Sequence, residues 1–285
     1  MLRWIIAALL ALALGGCSAL RFGYNQAPDL VYWWLDGYAD FDEAQTQRTR
    51  EGIRRWFDWH RRTQLPEYAQ LLARAQAEAL ADGTPEQACR WWDLLRERAD
   101  RALAEALPAA ADVIPRLTPA QIQHVERRQA KSNDEFRREY LDGNAAQRLA
   151  KSVERTLDRV EFFYGRLDAA QRERLAKQVA ASPFDAELWF AERRARQQEA
   201  VALLRRVAAE KPGREATLAM LRAYVERLGR SPREPYRRYL QGLTAYNCGF
   251  AAALHNDTTG AQRQALAERL KGWENDLRAL ASDTP

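Results

Sequence analysis

The chain has 285 residues, with 44 Lys plus Arg against 39 Asp plus Glu and a formal net charge of +5. Its arginine pairs, Arg54-Arg55, Arg127-Arg128 and Arg205-Arg206, are interleaved with acids, which is the pattern of solvated helix faces. Net charge supports at most a weak attraction to anionic lipid, and no nucleic-acid partner is expected in the compartment that the N-terminus indicates.

Chain order begins with a secretion signal. Arg3 gives a small positive region, Trp4 to Leu14 an apolar run, and Leu14-Gly15-Gly16-Cys17 a small-residue cleavage site. The uncharged stretch from Trp4 to Leu20 is 17 residues, broken by Gly15 and Gly16. A membrane span needs ~20.

The Leu-Gly-Gly-Cys ending resembles the lipobox of bacterial lipoproteins. That resemblance implies that residues 1–16 are removed and that Cys17 carries diacylglyceryl and palmitate-type acyl chains at the new N-terminus. By the same resemblance, Ser18 directs the protein to the outer membrane, on its periplasmic face. The mature chain is then 269 residues (285 less 16), enough to bury a large core.

Residues 17–28 are expected to form a lipid-anchored tether, and 29–285 a single helical periplasmic domain. Asp29 to Phe41 is dense in aromatics, including Tyr32, Trp33, Trp34 and Tyr38. Such residues suit an interfacial belt. The near-helical spacing of Leu30, Trp33, Trp34 and Leu35 predicts instead a helix docked into the core.

From Asp42 onward, capping chemistry marks one helix start after another. Thr84-Pro85-Glu86-Gln87, Thr118-Pro119-Ala120-Gln121 and Ser231-Pro232-Arg233-Glu234 each place a hydroxyl at the N-cap, Pro at the first helical position and Gln or Glu at the third. Asp168-Ala169-Ala170-Gln171, Ser182-Pro183-Phe184-Asp185 and Thr259-Gly260-Ala261-Gln262 are close variants. Apolar stripes such as Val153, Leu157, Val160 and Tyr164 fill the intervals, and no window alternates with period two. The expected fold is all-α, a bundle of about ten mostly antiparallel helices. Their predicted ranges are 42–63, 66–82, 85–107, 119–141, 145–164, 169–181, 184–210, 214–229, 232–256 and 260–281.

With Cys17 lipidated, Cys89 and Cys248 remain as an even pair in an oxidising compartment, which predicts a disulfide. Two buried free thiols are the alternative. His60, His124 and His255 stand alone, with no metal-ligand spacing, and neither a nucleophile elbow nor a phosphate loop occurs. No metal, cofactor or catalytic residue is therefore expected, and the chain is expected not to be an enzyme. Trp33, Trp34, Trp56, Trp59, Trp91 and Trp92 concentrate in the N-terminal part and form the candidate binding surface. In each adjacent pair one indole is free to enter a core while the other, turned by ~100°, serves a second interface.

Leu117-Thr118-Pro119-Ala120-Gln121 resembles the Leu-Thr-x-x-Gln motif of Spy-type periplasmic chaperones, and Leu167-Asp168-Ala169-Ala170-Gln171 a degenerate second copy. A capping box with a hydrophobic staple explains the same residues. Gly23-Tyr24-Asn25-Gln26, Tyr32-Trp33-Trp34-Leu35-Asp36, Tyr164-Gly165-Arg166-Leu167, Ser182-Pro183-Phe184-Asp185 and His255-Asn256-Asp257-Thr258-Thr259 resemble an uncharacterised family of proteobacterial lipoproteins. That resemblance implies a lipid anchor and a helical body, and transfers no catalytic residue. The expected function is a non-enzymatic, membrane-anchored interaction protein whose partners are envelope proteins or unfolded clients. The alternatives are a Spy-like chaperone and an envelope enzyme of unrecognised type.

Overall fold

The computed structural model describes the backbone of residues 15–283, with side chains from residue 19. Residues 1–14 of the expected signal peptide, and the side chain of Cys17, lie outside what is described. The described residues form α1 (Gly15–Ala39), α2 (Glu43–Trp59), α3 (Leu65–Glu78), α4 (Pro85–Val113), α5 (Pro119–Phe136), α6 (Ala145–Tyr164), α7 (Ala169–Ala180), α8 (Ala186–Glu210), α9 (Arg214–Gly229), α10 (Glu234–Asn256) and α11 (Gly260–Ser282). Among them there is no strand, so the fold is an all-α bundle.

Several helix ends differ from expectation. Residues 17–28 were expected as a tether, but they belong to α1, which runs through Pro28. The expected break between 63 and 66 is a π-turn, His60–Gln64, that feeds directly into α3. Helix α4 was expected to end at Leu107, before Pro108, yet it continues to Val113. Leu107 and Ala111, on either side of the proline, are buried against Leu218 and Leu221 of α9, and this packing outweighs the lost backbone hydrogen bond. Ser182 and Ser231 are not N-caps. Their hydroxyls accept from Phe184 N and Arg233 N in local turns, Asp185 caps α8 through Leu188 N at 2.9 Å, and α10 starts with no side-chain cap.

The most extensive helix pair is α3 with α11, and α4 packs on α10, α2 and α9. N-terminal helices are thereby fastened to C-terminal ones. The expected Cys89–Cys248 disulfide joins α4 to α10, with Cα atoms 5.2 Å apart across a sequence separation of 159. Where α2 crosses α4, a Cβ on Gly52 would sit 2.7 Å from Ala109 Cβ, so only glycine allows that approach.

Two glutamine clasps organise the helix starts. Asp42 and Gln45 form the capping box of α2, and Thr118 and Gln121 that of α5. The two glutamine amides then bond each other, Gln121 Nε2 donating to Gln45 Oε1 at 2.6 Å, and Gln45 Nε2 to Gln121 Oε1 at 3.1 Å. Each amide also donates to the carbonyl two residues before its partner's N-cap, Gln45 to Arg116 O at 2.8 Å and Gln121 to Asp40 O at 2.7 Å. The same arrangement recurs between α7 and α11. Gln171 and Gln262, third residues of the Asp168 and Thr259 capping boxes, bond each other at 2.9 and 3.0 Å. Gln171 donates to Asp257 O and Gln262 to Arg166 O, both at 2.9 Å. Each clasp thus ties one helix start to the backbone ahead of the other.

Candidate functional site

The six tryptophans do not assemble one surface. Trp33 and Trp34 on α1 are both exposed, at 61% and 62%. This corrects the expectation that one indole of the pair enters a core; the docked face of α1 is instead carried by Tyr24, Tyr32 and Ala39. Trp56 is half-buried, stacks on His60 at 4.7 Å between centroids, touches Trp59 at 6.0 Å and donates its indole N–H to Ala102 O. Trp91 is half-buried and donates to Glu78 Oε2 at 2.7 Å, while its neighbour Trp92 is exposed. Only in this second pair do the two indoles divide as expected.

His60 accepts from or donates to Tyr24 Oη through Nδ1 at 2.9 Å, inside the ring of Trp56, Phe57 and Tyr68. Burial lowers its pKa from 6.5 to about 4, and burial raises that of Tyr24 to about 12. His255 repeats the contact in the other half, Nδ1 lying 2.9 Å from Tyr164 Oη, while its Nε2 lies 2.8 Å from Ala81 O. Both histidines are therefore satisfied by structural partners. Among the described residues no group of three His, Cys, Asp or Glu side chains is placed to hold a metal ion.

Strongly shifted carboxylates likewise tie helices together. At Glu192 burial opposes ionisation, but hydrogen bonds from Arg233, Arg196 and Ser231 outweigh it and take the pKa down to about 2. Hydrogen bonds from Gln76, Arg278 and Lys271 take Glu274 to about 2 as well, joining α3 to α11.

An open groove of about 880 Å³ is bounded by α6, the Ser182–Asp185 linker, the start of α8 and the middle of α10. Tyr140, Phe184, Trp189, Tyr246 and Phe250 supply its aromatic lining. Tyr140 meets Phe184 at 6.4 Å and Phe184 meets Trp189 at 6.2 Å, while Phe136, outside the lining, stacks on Tyr140 at 4.7 Å and on buried Phe190 at 5.4 Å. Arg148, Arg155 and Arg159 from one face of α6 line the same groove. Arg155 lies over the Tyr140 ring, 4.6 Å from its centroid. Arg148 and Arg155 donate to the Leu141, Gly143 and Glu139 carbonyls and to Ser152, and among the described residues neither they nor Arg159 ion-pairs with a carboxylate. The groove's two acids are engaged elsewhere or project to solvent: Asp185 caps α8, and Glu187 is exposed.

Sequence reasoning missed this groove because its rings are scattered over more than a hundred residues and no local window is enriched. One signal was present, since Ser182-Pro183-Phe184-Asp185, among the segments that carry the family resemblance, forms its rim.

Fold and groove define an all-α bundle with an open aromatic and arginine-lined groove, and among the described residues no helix is long and apolar enough to cross a membrane. The chain belongs to DUF6279, a family of unknown function whose model matches residues 37–237. No curated protein matches it. No solved structure does either.

Proposed function

We propose that the protein is a non-enzymatic envelope component, lipid-anchored through Cys17 on the periplasmic face of the outer membrane, that binds an extended polypeptide segment in the groove between α6 and α10. The observation that carries this reading is the combination of adjoining aromatic rings with guanidinium groups that, among the described residues, pair with no carboxylate. Such a surface favours a segment bearing aromatic and acidic side chains, because rings stack on rings and carboxylates find bidentate arginine donors. The Leu-Thr-x-x-Gln likeness adds no support for a Spy-like role, since Gln121 and Gln171 are both occupied inside clasps.

The test places a photoreactive side chain at Tyr246, inside the groove, and at Trp92, outside it, in envelopes with the anchor retained. Capture of one polypeptide from Tyr246 and none from Trp92 is expected. Equal capture from both positions, or none from Tyr246, contradicts the reading. Lipidation is checked separately: intact mass should show an acylated Cys17, and Cys17→Ser should release the protein from membranes or leave it as an unprocessed precursor.

A further inference from the structure

Helix α1 has two unlike faces. Inward, Tyr24 bonds His60, buried Tyr32 places its hydroxyl 2.9 Å from Thr46 Oγ1, and Ala39 enters a core cluster with Leu117, Ile122 and Val201. Outward, Phe22, Gln26, Leu30, Trp33, Trp34 and Gly37 share one face at helical spacing, and Phe22, Leu30, Trp33 and Trp34 are 69%, 53%, 61% and 62% exposed. The stripe extends ~22 Å at ~1.5 Å per residue.

No charged residue falls on it. The charges that flank it are turned to protein partners: Asp29 pairs with Arg50 at 2.7 Å, Arg21 with Asp283 at 4.0 Å, and Asp36 accepts from Phe41 N at 3.0 Å. A face of this length that met only water would carry charge, and one packed in a core would be covered.

The position of the stripe in the chain identifies what covers it. The backbone of α1 begins at Gly15, so Cys17 lies on the same helix, five residues and ~8 Å before Phe22. The apolar run from Trp4 to Leu14 precedes it directly. Any membrane that holds the N-terminus therefore meets the start of the stripe first. A helix standing upright on that membrane would leave Leu30, Trp33 and Trp34 in water, whereas one lying flat covers all of them at once.

We propose that α1 lies along the bilayer surface, with Phe22, Leu30, Trp33 and Trp34 seated at the headgroup level of the lipid; this rests on the reading that Cys17 is the anchored residue. Tryptophan and tyrosine are favoured at that depth because the ring is apolar and its N–H or O–H stays wet. Because the face is uncharged, adhesion comes from apolar burial and does not need anionic lipid.

The experiment uses full-length protein purified from envelopes and reconstituted into phosphatidylcholine vesicles whose acyl chains are brominated near the headgroup. Tryptophan fluorescence should be quenched equally at low and high salt. The Trp33→Phe/Trp34→Phe variant should lose most of that quenching, and Trp92→Phe should keep it. Unquenched wild-type protein overturns the proposal, as does quenching that survives in the Trp33/Trp34 variant. Efficient disulfide formation between copies of a Gly37→Cys variant in these vesicles also overturns it, by placing a second copy on the stripe. Intact mass separates the two readings. An acylated protein without quenching keeps the anchor and removes the flat helix; an unacylated protein still quenched through Trp33 and Trp34 keeps the flat helix and removes the anchor.

Discussion

The two glutamine clasps share one hydrogen-bond pattern, in different parts of the molecule and with different surroundings. The α2–α5 clasp is sealed: Gln45 and Gln121 are 1% and 8% exposed, and the neighbouring core cluster is built on Ala39, Leu117, Ile122 and Val201. The α7–α11 clasp is sealed on one side only. Gln171 is buried and Gln262 half-buried, beside Leu167, Leu175 and Val160. A Tyr–His hydrogen bond also occurs in both halves, Tyr24–His60 in one and Tyr164–His255 in the other. What the halves do not share is surface: the first carries the uncharged aromatic stripe of α1, and the second the arginine-lined groove. The common parts hold helix ends together. The proposed binding therefore falls where the halves differ.

The largest expected effect comes from unfastening the halves. Cys89→Ser with Cys248→Ser removes a cross-link closing a loop of 159 residues and should lower unfolding free energy by ~3–4 kcal/mol, read from denaturant unfolding. An unchanged midpoint would mean that the α3–α11 and α4–α10 packing alone fixes the arrangement.

The clasps themselves come next. Gln121→Ala takes from the Gln45 amide its glutamine partner, leaving it Arg116 O and Asp42 N, and from the Asp40 carbonyl its side-chain donor, in a largely buried site, and should cost ~2 kcal/mol. Gln262→Ala breaks the equivalent bonds where water can replace them and should cost ~1 kcal/mol. A Gln45→Ala/Gln121→Ala double-mutant cycle should show coupling of ~1 kcal/mol or more. Equal costs at the two clasps would erase the burial difference on which the comparison stands.

A smaller effect separates the halves by pH. Because burial lowers the His60 pKa from 6.5 to about 4, the folded state binds this proton more weakly than the unfolded chain. The stabilisation is complete above about 6.5 and is lost as pH falls toward about 4. The melting temperature should thus decline between those values, and His60→Gln should flatten the decline. The window from pH 6.5 to 5 belongs to the histidine, since Glu192 and Glu274, both lowered to about 2, release their contributions at lower pH. A slope unchanged in His60→Gln would assign it to other groups.

Local chemistry was legible in the sequence, and long-range pairing was not. Thr84, Thr118, Asp168 and Thr259 cap the helices their motifs announced, because a capping box closes within four residues. Ser182 and Ser231 misled because a serine hydroxyl serves a turn two residues on as readily as a helix start. Pro108 misled because the burial that holds α4 together around it comes from α9, a hundred residues away. The clasps left a trace that went unread: Asp42, Thr118, Asp168 and Thr259 are each followed by x-Ala-Gln. That trace is not sufficient, since Asn144-Ala145-Ala146-Gln147 has the same pattern and forms an ordinary capping box. The tryptophan-rich N-terminal part is the obvious compositional signal for a binding surface, whereas the groove takes its rings from α8, α10 and the segments after α5 and α7, which no compositional window unites.

The assignment of binding to the groove is tested most directly by reversing its charge. With the photoreactive side chain at Tyr246 in intact envelopes, Arg155→Glu/Arg159→Glu should reduce capture of the bound polypeptide at least tenfold while leaving the melting temperature within a few degrees, because among the described residues neither guanidinium pairs with a carboxylate. Undiminished capture by a folded double variant would contradict the claim that this groove recognises its partner through arginine.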